Sequence, residues 1–259
     1  MAQADFPLVT ATVDTGAGRV HLTSAGTGPT RVVVVPGTGF NAAVALPLLR
    51  ALSARWRTTE VDLPGQPGLS DPHRPRRAKP AWYGRALDET LAAMGADGVV
   101  VLGNSLGAAV ALAARSSRIA ARALLSPAGF IRLSVDPQLA VASSVWLLHP
   151  TPGHTRRMLR SFVARGAQPP ETEVAWMTLM ARCCRTTLAP PPPQTLARCT
   201  ERPCVVGVGE PDRFLPPRRL VPAVRRTMNL DVRVFPGVGN LTTPADLEEV
   251  VSLVAMVAG

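Results

Sequence analysis

The sequence predicts an α/β protein, a mostly parallel central sheet wound by helices, and three observations carry that reading. A continuous apolar run of β-branched residues, Arg31–Val35, is followed by further short strand-like segments at Thr58–Val61, Gly98–Leu102 and Ala121–Leu125. Continuous runs of this kind belong to strands covered on both faces, as in a parallel sheet. Helical segments at 43–55, 82–94 and 105–115 separate them, which is the β-α-β order of a wound sheet. The length, 259 residues, suits one large core that carries an insertion.

Taken in order, residues 7–13 and 19–24 alternate weakly around Thr15-Gly16-Ala17-Gly18 and predict a hairpin. Pro36-Gly37-Thr38-Gly39 ends the first buried run. The next helix has Leu46, Leu49 and Leu52 at helical spacing and Pro47 near its start. The second run ends at a turn-rich loop, Asp62 to Asp71. After the fourth run the pattern stops. Residues 128–199 hold helical pieces near 137–148, 152–164, 172–185 and 193–199, separated by proline-rich joints, and no strand. Strands resume at Pro203–Val208 and Asp231–Phe235, with helices at 217–227 and 245–257. The expected division is therefore a core of 1–127 and 200–259 interrupted by a helical insertion of 128–199.

Composition excludes several classes. With 46% hydrophobic and 18% charged residues, the chain is not a disordered one. No apolar run reaches the roughly 18 residues of a membrane span, and the N-terminus lacks a basic patch followed by an apolar stretch. A bacterial cytoplasmic protein without a membrane partner is the expectation. The net charge of +10 comes almost wholly from arginine, since Lys79 is the sole lysine. Nucleic-acid binders add stacking aromatics and a dedicated basic face. Aromatics here are 4%, with one tyrosine, Tyr83, so no nucleic acid is expected. Cys183, Cys184, Cys199 and Cys204 do not form a well-spaced metal set and read as buried free thiols.

The strongest chemical signal is Gly103-Asn104-Ser105-Leu106-Gly107, which leaves an apolar strand and enters a small-residue helix. That strand–turn–helix setting is what a nucleophile elbow requires. The turn lifts the Ser105 hydroxyl clear of the sheet, and the helix N-terminus places the Leu106 N–H under a developing oxyanion. At these residues the chain resembles the α/β-hydrolase family, over nearly its full length. The resemblance implies an α/β-hydrolase fold with an inserted α-helical cap. It implies that Pro36-Gly37-Thr38-Gly39 is the oxyanion loop, with Pro36 in place of the usual His and Thr38 as second donor. Asp62-Leu63-Pro64-Gly65-Gln66-Pro67-Gly68-Leu69-Ser70 resembles a further family loop, longer here by one residue. Gly209-Glu210-Pro211-Asp212 resembles the loop that carries the triad acid, Asp212.

The same resemblance places Asn240, in Gly237-Val238-Gly239-Asn240, where the family has its histidine. An asparagine amide can donate to Asp212 and accept from Ser105, but it does not titrate near neutral pH and cannot take the serine proton. Three chemistries follow. A histidine of the insertion, His149 or His154, serves as base for hydrolysis of an ester, thioester or lactone. Alternatively the oxyanion hole stabilises enolate-like charge in a lyase, cyclisation or isomerisation step, or the chain is a silent ligand-binding pseudohydrolase. Trp146 and Trp176, with Met158, Met177 and Met180, fit an apolar and adaptable pocket in the insertion. The expected partner is thus a small apolar carbonyl compound. No phosphate loop or metal-ligand cluster is present in the sequence, so neither cofactor nor metal is expected, and the oligomeric expectation goes no further than a homodimer.

Overall fold

In a computed structural model, which describes residues 6–75, 80–184 and 202–258, eight strands form one sheet. They are β1 (Leu8–Thr15), β2 (Gly18–Ala25), β3 (Val32–Val35), β4 (Thr58–Val61), β5 (Val99–Asn104), β6 (Ile119–Leu125), β7 (Cys204–Gly209) and β8 (Val232–Phe235). Their spatial order is β1-β2-β4-β3-β5-β6-β7-β8. Pairing is antiparallel for β1–β2 and β2–β4 and parallel from β4 to β8. The valines of β3 are all buried, as the unbroken run requires when both faces are covered.

The helices of the core are α1 (Ala42–Ser53), α2 (Pro80–Ala93) and α3 (Leu106–Ala113), and later α7 (Pro217–Met228) and α8 (Leu247–Ala258). Between β6 and β7 lie α4 (Pro137–Leu148), α5 (Pro152–Leu159) and α6 (Glu171–Cys183). Asp136 and Thr151 cap α4 and α5 by accepting from Leu139 N–H and His154 N–H, and a proline follows each cap at the first helical position, where no donor is lost. The helical piece expected at 193–199, Cys199 with it, lies outside the described residues.

Two apolar clusters sandwich the sheet. One joins Val33, Val101, Val110, Leu87 and Val224, and the other joins Val34, Leu102, Leu253 and Phe235. A third, separate cluster lies within the inserted helices and includes Trp146, Met158, Leu159, Val174 and Met177. The inserted helices thus have a core of their own, and Leu241 of the loop after β8 joins it.

Two sequence expectations change. The helix expected over 152–164 ends at Leu159, where Ser161 and Phe162 N–H turn back onto the Met158 and Leu159 carbonyls and the Phe162 carbonyl is taken by Leu241 N–H. The described cysteines are free but not buried: Cys183 is exposed, and Cys184 and Cys204 are half-buried. Cys183 lies beside Arg182 on the solvent side of the last turn of α6.

Candidate active site

Ser105 stands at the C-terminal end of β5, directly before α3. Its backbone has φ 51° and ψ −108°, a conformation that costs a non-glycine residue on the order of 1–3 kcal/mol and persists only where the surroundings enforce it. The enforcement is visible. Ser105 N–H donates to the Leu125 carbonyl at 3.0 Å, and the Ser105 carbonyl accepts from Ala128 N–H at 3.1 Å. A Cβ on Gly107 would lie 1.9 Å from the Val35 carbonyl oxygen, and one on Gly103 would lie 2.6 Å from Ala108 Cα. Both flanking positions of the pentapeptide therefore admit only glycine.

The loop after β3 runs beside this elbow; a Cβ on Gly37 would be 3.6 Å from Ser105 Cβ. Among the described residues, Thr38 N–H and Leu106 N–H donate to no acceptor outside the regular helix and strand ladders. Three side chains hold the loop. Gln66 Oε1 accepts from Gly39 N–H at 3.1 Å, and Gln66 Nε2 donates to the Tyr83 hydroxyl at 3.0 Å. Trp176 Nε1 donates to the Gly39 carbonyl at 2.7 Å. Asp62 accepts from Ala42 N–H at the start of α1 and from Leu69 N–H, which ties the Gln66 loop to the same place.

Asp212 follows β7 and is buried. Its Oδ1 accepts from Phe214 N–H and Leu215 N–H, each at 2.9 Å, and its Oδ2 accepts from Asn240 Nδ2 at 2.9 Å. Among the described residues Asn240 and Ser105 make no hydrogen bond with each other, so of the two bonds expected of Asn240 only the one to Asp212 is formed. The approach of the two loops depends on Gly209, whose Cβ would fall 1.8 Å from the Val238 carbonyl oxygen. Gly239 is equally constrained, since its Cβ would fall 2.2 Å from the Phe162 carbonyl oxygen. The loop is closed further on by Thr243, whose N–H and hydroxyl both donate to Asp246 Oδ2.

The acid loop is also tethered to the inserted helices. Arg213 donates to Asp136, the N-cap of α4, and Phe214 stacks on Phe162 with ring centroids 4.2 Å apart. The Phe214 carbonyl accepts from Ser134 N–H at 2.8 Å.

The remaining residues singled out from the sequence lie as follows. Trp176 is half-buried on α6, against the Gly39 loop. Trp146 is buried in the cluster of the inserted helices. His149 is exposed at the end of α4, and its carbonyl lies 2.8 Å from His154 Nδ1. Among the described residues neither histidine hydrogen-bonds to Ser105, Asp212 or Asn240, and no group of three or more metal-ligating side chains comes together.

The sequence reading missed Gln66, Tyr83 and the buried acids Glu60 and Glu173. The one signal for Gln66 was the lengthened loop around it. Glu173 lies on the face of α6 shared with Met177 and Met180, and burial raises its carboxyl above the ordinary range.

The arrangement of the eight-stranded, mostly parallel sheet and its helices is that of the α/β hydrolases. The chain matches the alpha/beta hydrolase family over residues 32–253 and belongs to it. Among solved structures it is similar to naproxen esterase (carboxylesterase NP) from Bacillus subtilis, at 17% identity and a TM-score of 0.78 over 97% of this chain and 92% of that one. It is also similar to carboxylesterase CesB from Bacillus subtilis, at 16% identity and a TM-score of 0.77 over 98% and 92%. A third likeness is to the 2-hydroxy-6-oxo-6-phenylhexa-2,4-dienoate hydrolase of a Rhodococcus strain, at 20% identity and a TM-score of 0.69 over 96% and 97%. These likenesses concern the fold. Comparison with curated protein sequences gave no significant match. Among the described residues no helix is long and apolar enough to cross a membrane.

Proposed function

We propose that the protein is an enzyme acting on a small or medium-sized apolar ester, thioester, lactone or other carbonyl compound, with a degenerate triad of Ser105, Asp212 and Asn240. The inserted helices α4–α6 act as a cap, and Trp176 is the wall of the substrate pocket nearest the oxyanion loop. The observation that carries the reading is the strained backbone of Ser105, held beside two N–H groups with no other acceptor. A plain turn has no need of a conformation this costly.

In this reading the substrate carbonyl oxygen accepts from Thr38 and Leu106 N–H while Ser105 Oγ attacks the carbonyl carbon. The π electrons move onto the oxygen, where the two donors stabilise the charge. The hydroxyl proton is the difficulty. Asn240 copies the geometry of an imidazole toward Asp212 but takes no proton, so the proton passes to water. General base help is worth about 10²–10⁴-fold, and hydrolysis is slowed by that factor. A base from the insertion has less support, because among the described residues neither His149 nor His154 hydrogen-bonds to Ser105, Asp212 or Asn240, and the bond His154 Nδ1 makes is to the His149 carbonyl.

The test is labelling by a fluorophosphonate probe. The reading expects slow labelling that Ser105→Ala abolishes, that Asn240→His accelerates about 10²–10⁴-fold, and that His149→Ala or His154→Ala leaves unchanged. Failure of both the original chain and the Asn240→His variant to label refutes Ser105 as nucleophile. The absent base also favours a second reading, a non-hydrolytic lyase, cyclisation or isomerisation step that uses the oxyanion hole alone; turnover that survives Ser105→Ala selects it.

A further inference from the structure

Helix α4 contains no charged residue. Leu139 and Trp146 face inward, while Val141 is 64% and Leu148 75% exposed on the opposite side, with Leu147 at 42% beside them. Val135, just before the helix, is 57% exposed. A globular helix normally turns polar groups outward, so this apolar outer face has no partner within the chain's described residues.

The charge around it is mainly positive, and the two nearest acids, Asp136 and Glu171, are already ion-paired with Arg213 and Arg156. From Pro137 to Pro170 the sequence has Arg156, Arg157, Arg160 and Arg165 and no Asp or Glu. A cleft of about 400 Å³ between α4 and α5 brings the two characters together: Val141, Ala142 and Val145 on one side, His154, Arg157 and Ser161 on the other. Arg156 is paired with Glu171, whereas among the described residues Arg157 makes no ion pair.

We propose that this face docks on an anionic phospholipid surface. α4 lies flat in the interface with Val141, Leu147 and Leu148 among the acyl chains, and Arg157 meets a lipid phosphate at the mouth of the cleft. A helix of 12 residues is far too short to span, but an apolar face rimmed by arginine is what an interfacial helix needs. A second copy of the chain fits worse. Symmetric pairing through this face brings Arg157, Arg160 and Arg165 of both copies together, while the nearby acids Asp136 and Glu171 are already held by Arg213 and Arg156. The proposal departs from the sequence-based expectation of no membrane partner, which rested on the lack of a spanning run, and it is independent of the chemistry at Ser105.

The experiment is co-sedimentation of the full chain with vesicles of equal phosphatidylglycerol and phosphatidylcholine, beside pure phosphatidylcholine. The protein is expected to sediment with the anionic vesicles and to be released by high salt. Val141→Asp with Leu148→Asp, both on the exposed face, lowers the bound fraction at least about tenfold with an unchanged melting temperature. Arg157→Gln alone lowers it about fivefold. No sedimentation with anionic vesicles, or equal sedimentation of the double Asp variant, overturns the proposal. So does release from vesicles by millimolar glycerol phosphate, which marks a free-anion site. A dimer in sedimentation velocity that the double Asp variant dissolves, without vesicle binding, overturns it in favour of self-association.

Discussion

Glu60 gives the most quantitative prediction. It lies in β4, in register with Thr23 of β2 and Val34 of β3, with 0% of its surface exposed. Neither carboxyl oxygen has a hydrogen-bond partner. Burial, and secondarily the charge of Asp62, push its pKa well above the usual 4.5. The folded state therefore keeps a proton that the unfolded chain has already lost. Stability changes with pH in proportion to protons bound unfolded minus folded, here zero minus one, so it falls as pH rises through this window. The slope is about 1.4 kcal/mol per pH unit, starting near the unfolded value and ending where folded Glu60 ionises. Glu60→Gln removes the titration while keeping shape and polarity. Urea unfolding followed by tryptophan fluorescence at a series of pH values above about 4.5 is expected to show the variant gaining on the original chain as pH rises, by at most about that slope, until folded Glu60 ionises. Parallel stability curves for the two chains would falsify the assignment of a neutral buried acid.

Two further substitutions probe the site's construction. Ser105→Gly relieves the positive φ of 51° and is expected to raise unfolding stability by about 1–2 kcal/mol in urea titration while abolishing probe labelling. Gln66→Ala removes acceptor and donor at once from Gly39 N–H and the Tyr83 hydroxyl; a loss of about 1–3 kcal/mol is expected in the same assay, with a larger proportional loss of probe labelling as the Thr38 loop loosens.

How much of this was legible beforehand follows from the range of the forces involved. The run at 32–35 was readable because a continuous β-branched stretch between turn residues has few other uses. The starts of α4 and α5 were local too, since the helices expected from 137 and 152 begin at Pro137 and Pro152. The antiparallel pairing of β2 with β4 was not readable, because nothing within either strand names its neighbour. The early end of α5 is set by Leu241, about eighty residues away, taking the Phe162 carbonyl. In the site, the strand–turn–helix setting made Ser105 stand out, while Gln66 could not be picked out, since its partners Gly39 and Tyr83 are distant in sequence. The histidines were countable but not placeable; only coordinates put His154 on the His149 carbonyl.

The tether between the acid loop and the inserted helices has a thermodynamic corollary. Asp212 is flanked by Arg213, which holds the start of α4, and is bonded to Phe214 N–H, whose ring holds Phe162. Whatever binds more tightly with that tether made than broken draws from one shared equilibrium, whether it sits on the outer face of α4 or beside Ser105. The two occupants then change each other's affinity by the same factor, in both directions. Arg213→Ala removes one strand of the tether without touching Asp212 itself, and so is expected to weaken the coupling between the two equilibria.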